Sequence, residues 1–133
     1  MLGVLLFMLS AMASDYVLVV HEQTNDNPIS ARTLKRLISR QQCCWVDGLE
    51  VSLILPESSD DAMIWFANEL TGLEPEVYQR YLMERCYRMG CTPVIETESL
   101  RVAQDVARRT PGSLTVAHPD EIPEGMRVLK IEE

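Results

Sequence analysis

Short apolar runs rich in β-branched residues alternate along this chain with stretches whose apolar residues recur every three or four positions. Residues 16–21 form such a run, which is typical of a buried strand. The stretch 30–40 then places Leu34 and Ile38 on one face of a helix, and residues 50–55 predict a second strand. The alternation predicts an α/β fold with a mixed, mostly parallel sheet flanked by helices.

The same patterns predict the remaining elements and one domain over residues 14–133, a usual length for a single core. They are a helix capped by Ser58 or Ser59 and reaching Leu70, a helix from Pro75 to Gly90, a helix capped by Thr97, and strands over 114–117 and 127–131. The apolar residues expected to face inward from the second of these helices are Val77, Tyr78, Tyr81, Leu82 and Cys86.

The first thirteen residues carry no charged side chain and include an apolar run that is too short to cross a bilayer as a helix. Ala11-Met12-Ala13 follows the run with the small-x-small pattern that signal peptidases recognise. We therefore expect residues 1–13 to be a signal peptide cleaved after Ala13, which would send the protein to the periplasm. A buried N-terminal strand or helix is the alternative.

The four cysteines, Cys43, Cys44, Cys86 and Cys91, are disulfide candidates if the chain enters an oxidising compartment. A bridge between the adjacent Cys43 and Cys44 is disfavoured because it would strain the backbone. The other two connectivities both join the segment around Cys43 to the segment around Cys91. Free buried thiols remain an alternative. A metal or redox role is disfavoured because the spacing lacks the C-x-x-C pattern.

The charge pattern excludes some partners and suggests others. A formal net charge of -8 argues against a protein whose main partner is nucleic acid. The predicted first helix carries a basic stripe, and residues 57–84 contain seven acids against Arg80 alone. This dipolar surface could steer a protein partner, although solvated helix faces are the simpler interpretation. The basic stripe consists of Arg32, Lys35, Arg36 and Arg40.

The sequence contains no recognisable catalytic, phosphate-loop or dinucleotide motif, so we expect no enzyme, no cofactor and no metal. His21 and His118 are expected to be surface or strand-end residues. Ser58 and Ser59 are the candidate ligand-binding residues, because a helix N-terminus with nearby hydroxyls can bind an oxyanion. Simple capping is the alternative, and the following Asp60-Asp61 favours it by repelling a dianion.

Three motifs occur in order along the chain. Asn27-Pro28-Ile29-Ser30 precedes the first predicted helix, Trp45-Val46-Asp47-Gly48 follows it, and Pro111-Gly112-Ser113-Leu114 opens a late strand. These motifs and their order resemble those of the phosphate-binding proteins of ABC transporters. Residues 53–66 resemble the strand, serine-bearing loop and helix that contact phosphate in that family. The stretch 55–61 lacks the arginine and the glycine of the family's loop.

The resemblance implies one lobe of a type 2 periplasmic-binding-protein fold that captures phosphate or another oxyanion for import. Ser58 and Ser59 are then the donors to the anion, and a membrane transporter or another periplasmic protein is the partner. The alternative is a periplasmic protein-interaction module that binds no small molecule. Neither interpretation requires a segment that spans the membrane.

Overall fold

The computed structural model describes residues 15–24, 28–90 and 94–132. Within these ranges the chain forms short strands and helices. The strands are β1 (Val17–His21), β2 (Ile29–Ser30), β3 (Ser52–Pro56), β4 (Ile95–Thr97), β5 (Ser113–Ala117), β6 (Met126–Val128) and β7 (Ile131–Glu132), and the helices are α1 (Ala31–Ile38), α2 (Asp61–Thr71), α3 (Pro75–Met89) and α4 (Leu100–Ala107).

The central sheet has the strand order β4-β3-β5-β1-β6. Strand β3 pairs in parallel with β4 and β5, whereas β1 runs antiparallel to β5 and β6. All of these strands except β1 therefore point the same way. The expected mixed, mostly parallel sheet flanked by helices is confirmed. Strands β2 and β7 form a separate parallel pair.

The two faces of the sheet are covered differently. Helices α1, α2 and α3 share one apolar core with the sheet, in which the rings of Phe66 and Tyr78 lie 5.8 Å apart. On the other face, Ala103 and Ala107 of α4 pack against Val19 and Ile54. The small alanine side chains allow this helix to approach the sheet closely.

Two helices begin one or two residues later than the sequence predicted. Helix α2 is capped by Asp60, not by Ser58 or Ser59, because a turn from Glu57 to Asp60 places both serines ahead of the helix. Helix α4 is capped by Ser99, not by Thr97, because Thr97 ends β4 and pairs with Pro56.

The buried stripe of α3 is narrower than predicted. Tyr78, Leu82 and Cys86 are buried, as expected from their spacing of four residues. Val77 and Tyr81 are 44% and 37% exposed. They lie one position before each buried residue, which rotates them away from the core.

The basic stripe is interrupted at Arg40. This residue follows α1 with a φ of 61°, which is unusual for a non-glycine residue. The turn directs its guanidinium into the protein, where Nη1 donates to the carbonyl oxygen of Val51 at 3.2 Å. Burial lowers the pKa of Arg40, an effect that the nearby Glu50 opposes. The exposed stripe therefore contains only Arg32, Lys35 and Arg36.

Cys43, Cys44 and Cys86 are disulfide-bonded, but the preference against an adjacent bridge was wrong. Cys43 and Cys44 are bonded to each other, with their Cα atoms 3.7 Å apart. Cys44 also forms an isolated β-bridge with Glu50. Cys86 is also disulfide-bonded, while Cys91 lies outside the described residues.

The predicted signal peptide, residues 1–13 with cleavage after Ala13, also lies outside the described residues and stays a prediction. In the part of the chain that the structure describes, no helix combines the length and the apolar character needed to cross a membrane.

Candidate functional site

Several polar and aromatic residues lie at one edge of the central sheet, where they follow or precede its strands. Strands β3, β4 and β5 end there, and β1 begins there because it runs in the opposite direction. We call this the carboxyl edge. Ligands of open α/β sheets bind at this edge, outside the carboxyl ends of the strands.

The two serines predicted to bind an oxyanion lie at the carboxyl edge, in the turn between β3 and α2. Ser58 Oγ donates to Gln79 Oε1 at 2.8 Å, and Ser59 Oγ donates to Glu57 Oε1 at 3.2 Å. Both hydroxyl hydrogens are therefore directed to acceptors within the chain. An incoming oxyanion would have to displace these contacts to receive the same hydrogen bonds.

Carboxylates surround the first turn of α2. Asp60 Oδ1 accepts a hydrogen bond from the Ala62 N–H, with 2.8 Å between nitrogen and oxygen. Asp61 occupies the first turn of the helix, and Glu57 precedes the cap. The partial positive charge of a helix N-terminus favours such acids. Here they occupy the position at which an anionic ligand would bind.

An aromatic cluster lies next to these acids. The ring of Tyr16 lies 5.7 Å from that of Trp65 in α2 and 4.8 Å from that of His118, measured between centroids. Burial is the main cause that raises the pKa of Tyr16, and the charges of Asp61, Asp60 and Asp15 raise it further. These carboxylates therefore lie close enough to Tyr16 to oppose its ionisation.

An open depression of about 490 Å³ lies beside the aromatic cluster. Its walls combine aromatic rings with carboxylates, an arrangement that suits ammonium or guanidinium groups. The residues that line it are Asp15, Tyr16, His118, Pro119 and Asp120. Among the described residues, no group of three or more His, Cys, Asp or Glu could hold a metal ion.

Of the two histidines selected from the sequence, His21 lies away from this edge and His118 lies at it. His21 ends β1 at the opposite edge, where its Nδ1 accepts the Gln23 N–H at 3.1 Å. The exposed cations Arg32, Lys35 and Arg36 lie on α1. His118, expected to be a surface or strand-end residue, follows β5 and joins the aromatic cluster.

Sequence reasoning missed Tyr16 and Trp65 as site residues. The sequence predicts that Tyr16 belongs to a buried strand, and Trp65 lies off the buried face that Met63, Phe66 and Ala67 form in its helix. Only the antiparallel insertion of β1 brings the two rings together at one edge. Their sequence positions carry no signal of that contact.

Comparison with known proteins shows the fold and no closer relationship. No protein-family model matches the chain, and no curated protein matches it by sequence. A candidate phosphate ABC transporter substrate-binding protein from Clostridium perfringens, with bound phosphate, is similar in structure at a TM-score of 0.68 and 7% identity. The match covers 88% of this chain and 44% of that one.

Two further solved structures are similar over most of this chain. PstS from Borrelia burgdorferi matches with a TM-score of 0.63 at 12% identity, over 90% of this chain and 47% of its own. A candidate phosphate-binding protein from Planctomyces limnophilus matches with a TM-score of 0.62 at 10% identity, over 96% of this chain and 48% of its own. The chain thus spans about half the length of these proteins and shares their fold.

Proposed function

We propose that this chain is an exported protein-interaction domain built on the fold of phosphate-binding proteins, and that its carboxyl edge binds a basic segment of a periplasmic or membrane protein. The observation that carries the proposal is the cap of α2. The Asp60 carboxylate accepts the Ala62 N–H, so this helix start presents negative charge where an oxyanion would need donors.

Charge and aromatic surface both support a basic partner. The chain has a formal net charge of -8, which would accelerate the approach of a positively charged surface. Beside the acids of α2, Tyr16 and His118 expose ring surface to the depression at the edge. Lysine and arginine side chains can contact a ring face and a carboxylate at the same time.

The remaining parts of the proposal rest on the comparisons and on the N-terminal sequence. The similar structures from Clostridium perfringens and Planctomyces limnophilus are described as a phosphate-transport and a phosphate-binding protein, which supports a binding domain over an enzyme. The uncharged apolar segment 1–13 supports export.

The test is a titration of the protein with a peptide rich in lysine and arginine, in which calorimetry measures binding at low and at high salt. Replacing both Asp60 and Asp61 by asparagine should weaken binding about three- to tenfold at low ionic strength. The matched control is Glu76→Gln with Glu84→Gln, which removes the same charge from the exposed face of α3. The control should weaken binding much less.

Two results would refute a specific site at the carboxyl edge. One is equal weakening by both double variants, since that would indicate attraction by net charge alone. The other is no measurable binding of the peptide at low salt, where exposed charges interact most strongly.

Oxyanion binding at Ser58 and Ser59 is the second candidate function. The observation that favours it is the shared fold with a structure that contains phosphate, together with the position of both serines at the carboxyl edge. In this alternative the chain would deliver phosphate or a related oxyanion to a membrane transporter.

Thermal unfolding in phosphate, sulfate and chloride at matched ionic strength tests this second function. A ligand present at 100 times its dissociation constant adds about 2.7 kcal/mol of stability, which raises the Tm of a domain of this size by several degrees. A rise that is specific to phosphate, and that is lost in the Ser58→Ala/Ser59→Ala variant, would establish the anion site. The basic-partner proposal predicts no such rise.

A further inference from the structure

The disulfide between Cys43 and Cys44 differs from a structural crosslink. A disulfide stabilises a fold mainly by closing a loop of the unfolded chain, and its effect grows with the length of that loop. Cys43 and Cys44 are adjacent, so their bond closes the shortest possible loop. It therefore contributes little to the stability of the fold through chain entropy.

The bond is also accessible from solvent. Cys43 is exposed and Cys44 is half-buried, whereas the disulfide-bonded Cys86 is only 5% exposed. Exchange requires a thiolate to reach a sulfur along the axis of the bond, so access strongly affects its rate. Among the described residues, Cys43–Cys44 is therefore an exposed disulfide, whereas the bonded Cys86 is buried in α3.

Backbone and side-chain hydrogen bonds hold the turn that carries Cys43 and Cys44. The Val51 N–H donates to the Cys43 carbonyl oxygen at 2.9 Å, and Gln42 Nε2 donates to the Cys44 carbonyl oxygen at 3.0 Å. Next in sequence, Trp45 is 3% exposed, and its Nε1 donates to the Gly112 carbonyl oxygen at 3.0 Å. None of these contacts uses a sulfur atom, so they can persist when the disulfide is opened.

We propose that Cys43–Cys44 is a thiol–disulfide exchange site for a dithiol reductant. A thiolate of the reductant attacks the exposed Cys43 Sγ, the Cys43–Cys44 bond breaks, and Cys44 leaves as a thiolate that takes up a proton. The second thiol of the reductant then attacks the reductant sulfur that is bonded to Cys43 in the mixed disulfide, and Cys43 is released as a thiol. The protein gains two electrons and two protons, and the reductant becomes a disulfide.

The test is graded reduction of the folded, full-length protein with dithiothreitol, followed by alkylation and peptide mapping by mass spectrometry. We expect Cys43 and Cys44 to acquire labels together at a reductant concentration about tenfold or more below that which labels Cys86. Circular dichroism of the same samples should remain that of the folded protein. Removal of the reductant in air should restore the bond.

The Cys43→Ser/Cys44→Ser variant is the matched control. It should show no label at the low reductant concentration, and its Tm should lie close to that of the oxidised wild-type protein. Labelling of Cys86 at the same or a lower concentration would overturn the proposal. Labelling of Cys43 and Cys44 only when circular dichroism reports unfolding would overturn it as well.

Discussion

Helices α2 and α4 start at the same edge of the sheet, after neighbouring parallel strands that end side by side at Pro56 and Thr97. Their first turns nevertheless carry different charges. The cap of α4 is Ser99, whose Oγ accepts the Val102 N–H at 3.2 Å, and no acid lies in its first turn. The cap of α2 is Asp60, with Asp61 directly behind it.

The difference shows that the fold supplies the helix N-termini, while a few local residues decide which charge each of them accepts. Both helices offer backbone N–H groups and the positive end of a dipole. At α4 a neutral hydroxyl satisfies one of those groups. At α2 a carboxylate does so, and its negative charge also faces the carboxyl edge.

The largest expected effect is on the stability of the two caps. Asp60→Ala should lower the free energy of unfolding by about 1 to 2 kcal/mol, because it removes both the hydrogen bond to Ala62 and a favourable charge. Ser99→Ala should cost about 0.5 to 1 kcal/mol, because only a neutral cap is lost. Urea denaturation of both variants measures the difference.

Asp60→Asn is the matched control, since asparagine retains the capping oxygen without the charge. Its free energy of unfolding should lie between those of the wild-type protein and the Asp60→Ala variant. If Ser99→Ala is as destabilising as Asp60→Ala, charge contributes nothing to the contrast between the two helix starts.

A smaller effect is expected on the ionisation of Tyr16. The Asp60→Asn/Asp61→Asn variant should lower the raised pKa of Tyr16 towards its ordinary value, because two of the charges that oppose ionisation are gone. Burial, the larger cause, remains, so the return should be partial. The measurement is absorbance titration of tyrosinate, with Tyr16→Phe to assign the signal.

The Glu76→Gln variant is the control for this titration and should leave the pKa of Tyr16 in place. An unchanged pKa in the asparagine double variant would mean that the acids of α2 do not act on the carboxyl edge.

The smallest effect is expected at the far end of α4. A hydrogen bond from Arg108 is the main cause that lowers the pKa of Asp105, with the charges of Arg109, Arg108 and Arg101 adding to it. The Arg108→Gln variant should therefore raise the pKa of Asp105 towards its ordinary value. NMR titration of the Asp105 side chain would measure the change, and a pKa that stays in place would contradict this pairing.

The stability that Asp105 contributes is present above the ordinary pKa of an aspartate and is lost as the pH falls through the lowered folded value. Because this carboxylate is exposed, the pH dependence should be slight. A large loss of stability in the same acidic range in the Arg108→Gln variant would have to arise from other groups.

The fold class was predictable because strands and helices of ordinary length alternate with clear apolar periodicity. Strand β1, helices α1 to α3 and strand β5 were all expected near their observed places. Strand β4 was missed because it has only three residues, of which Ile95 and Glu96 are exposed. This segment is a strand because it pairs with β3, and its own sequence has no apolar pattern that would indicate one.

The candidate site was less predictable, since it depends on contacts between distant parts of the chain. The sequence pointed to Ser58 and Ser59 near a helix start, but the turn that makes Asp60 the cap depends on a hydrogen bond from the Asp60 N–H to Glu57. The contact between Tyr16 and Trp65 depends on the reversed direction of β1. The sequence argument from backbone strain disfavours a bond between the adjacent Cys43 and Cys44, yet the structure contains it.

Preference for a basic partner over an oxyanion at the carboxyl edge is tested most directly by heteronuclear NMR of the protein. The amide signals of Asp61 and Ala62 and the indole signal of Trp65 are followed during separate titrations with the lysine- and arginine-rich peptide and with phosphate. We predict saturable shifts with the peptide and none with phosphate at matched ionic strength. Saturable shifts with phosphate, and none with the peptide, would contradict the proposal that the carboxyl edge binds a basic partner.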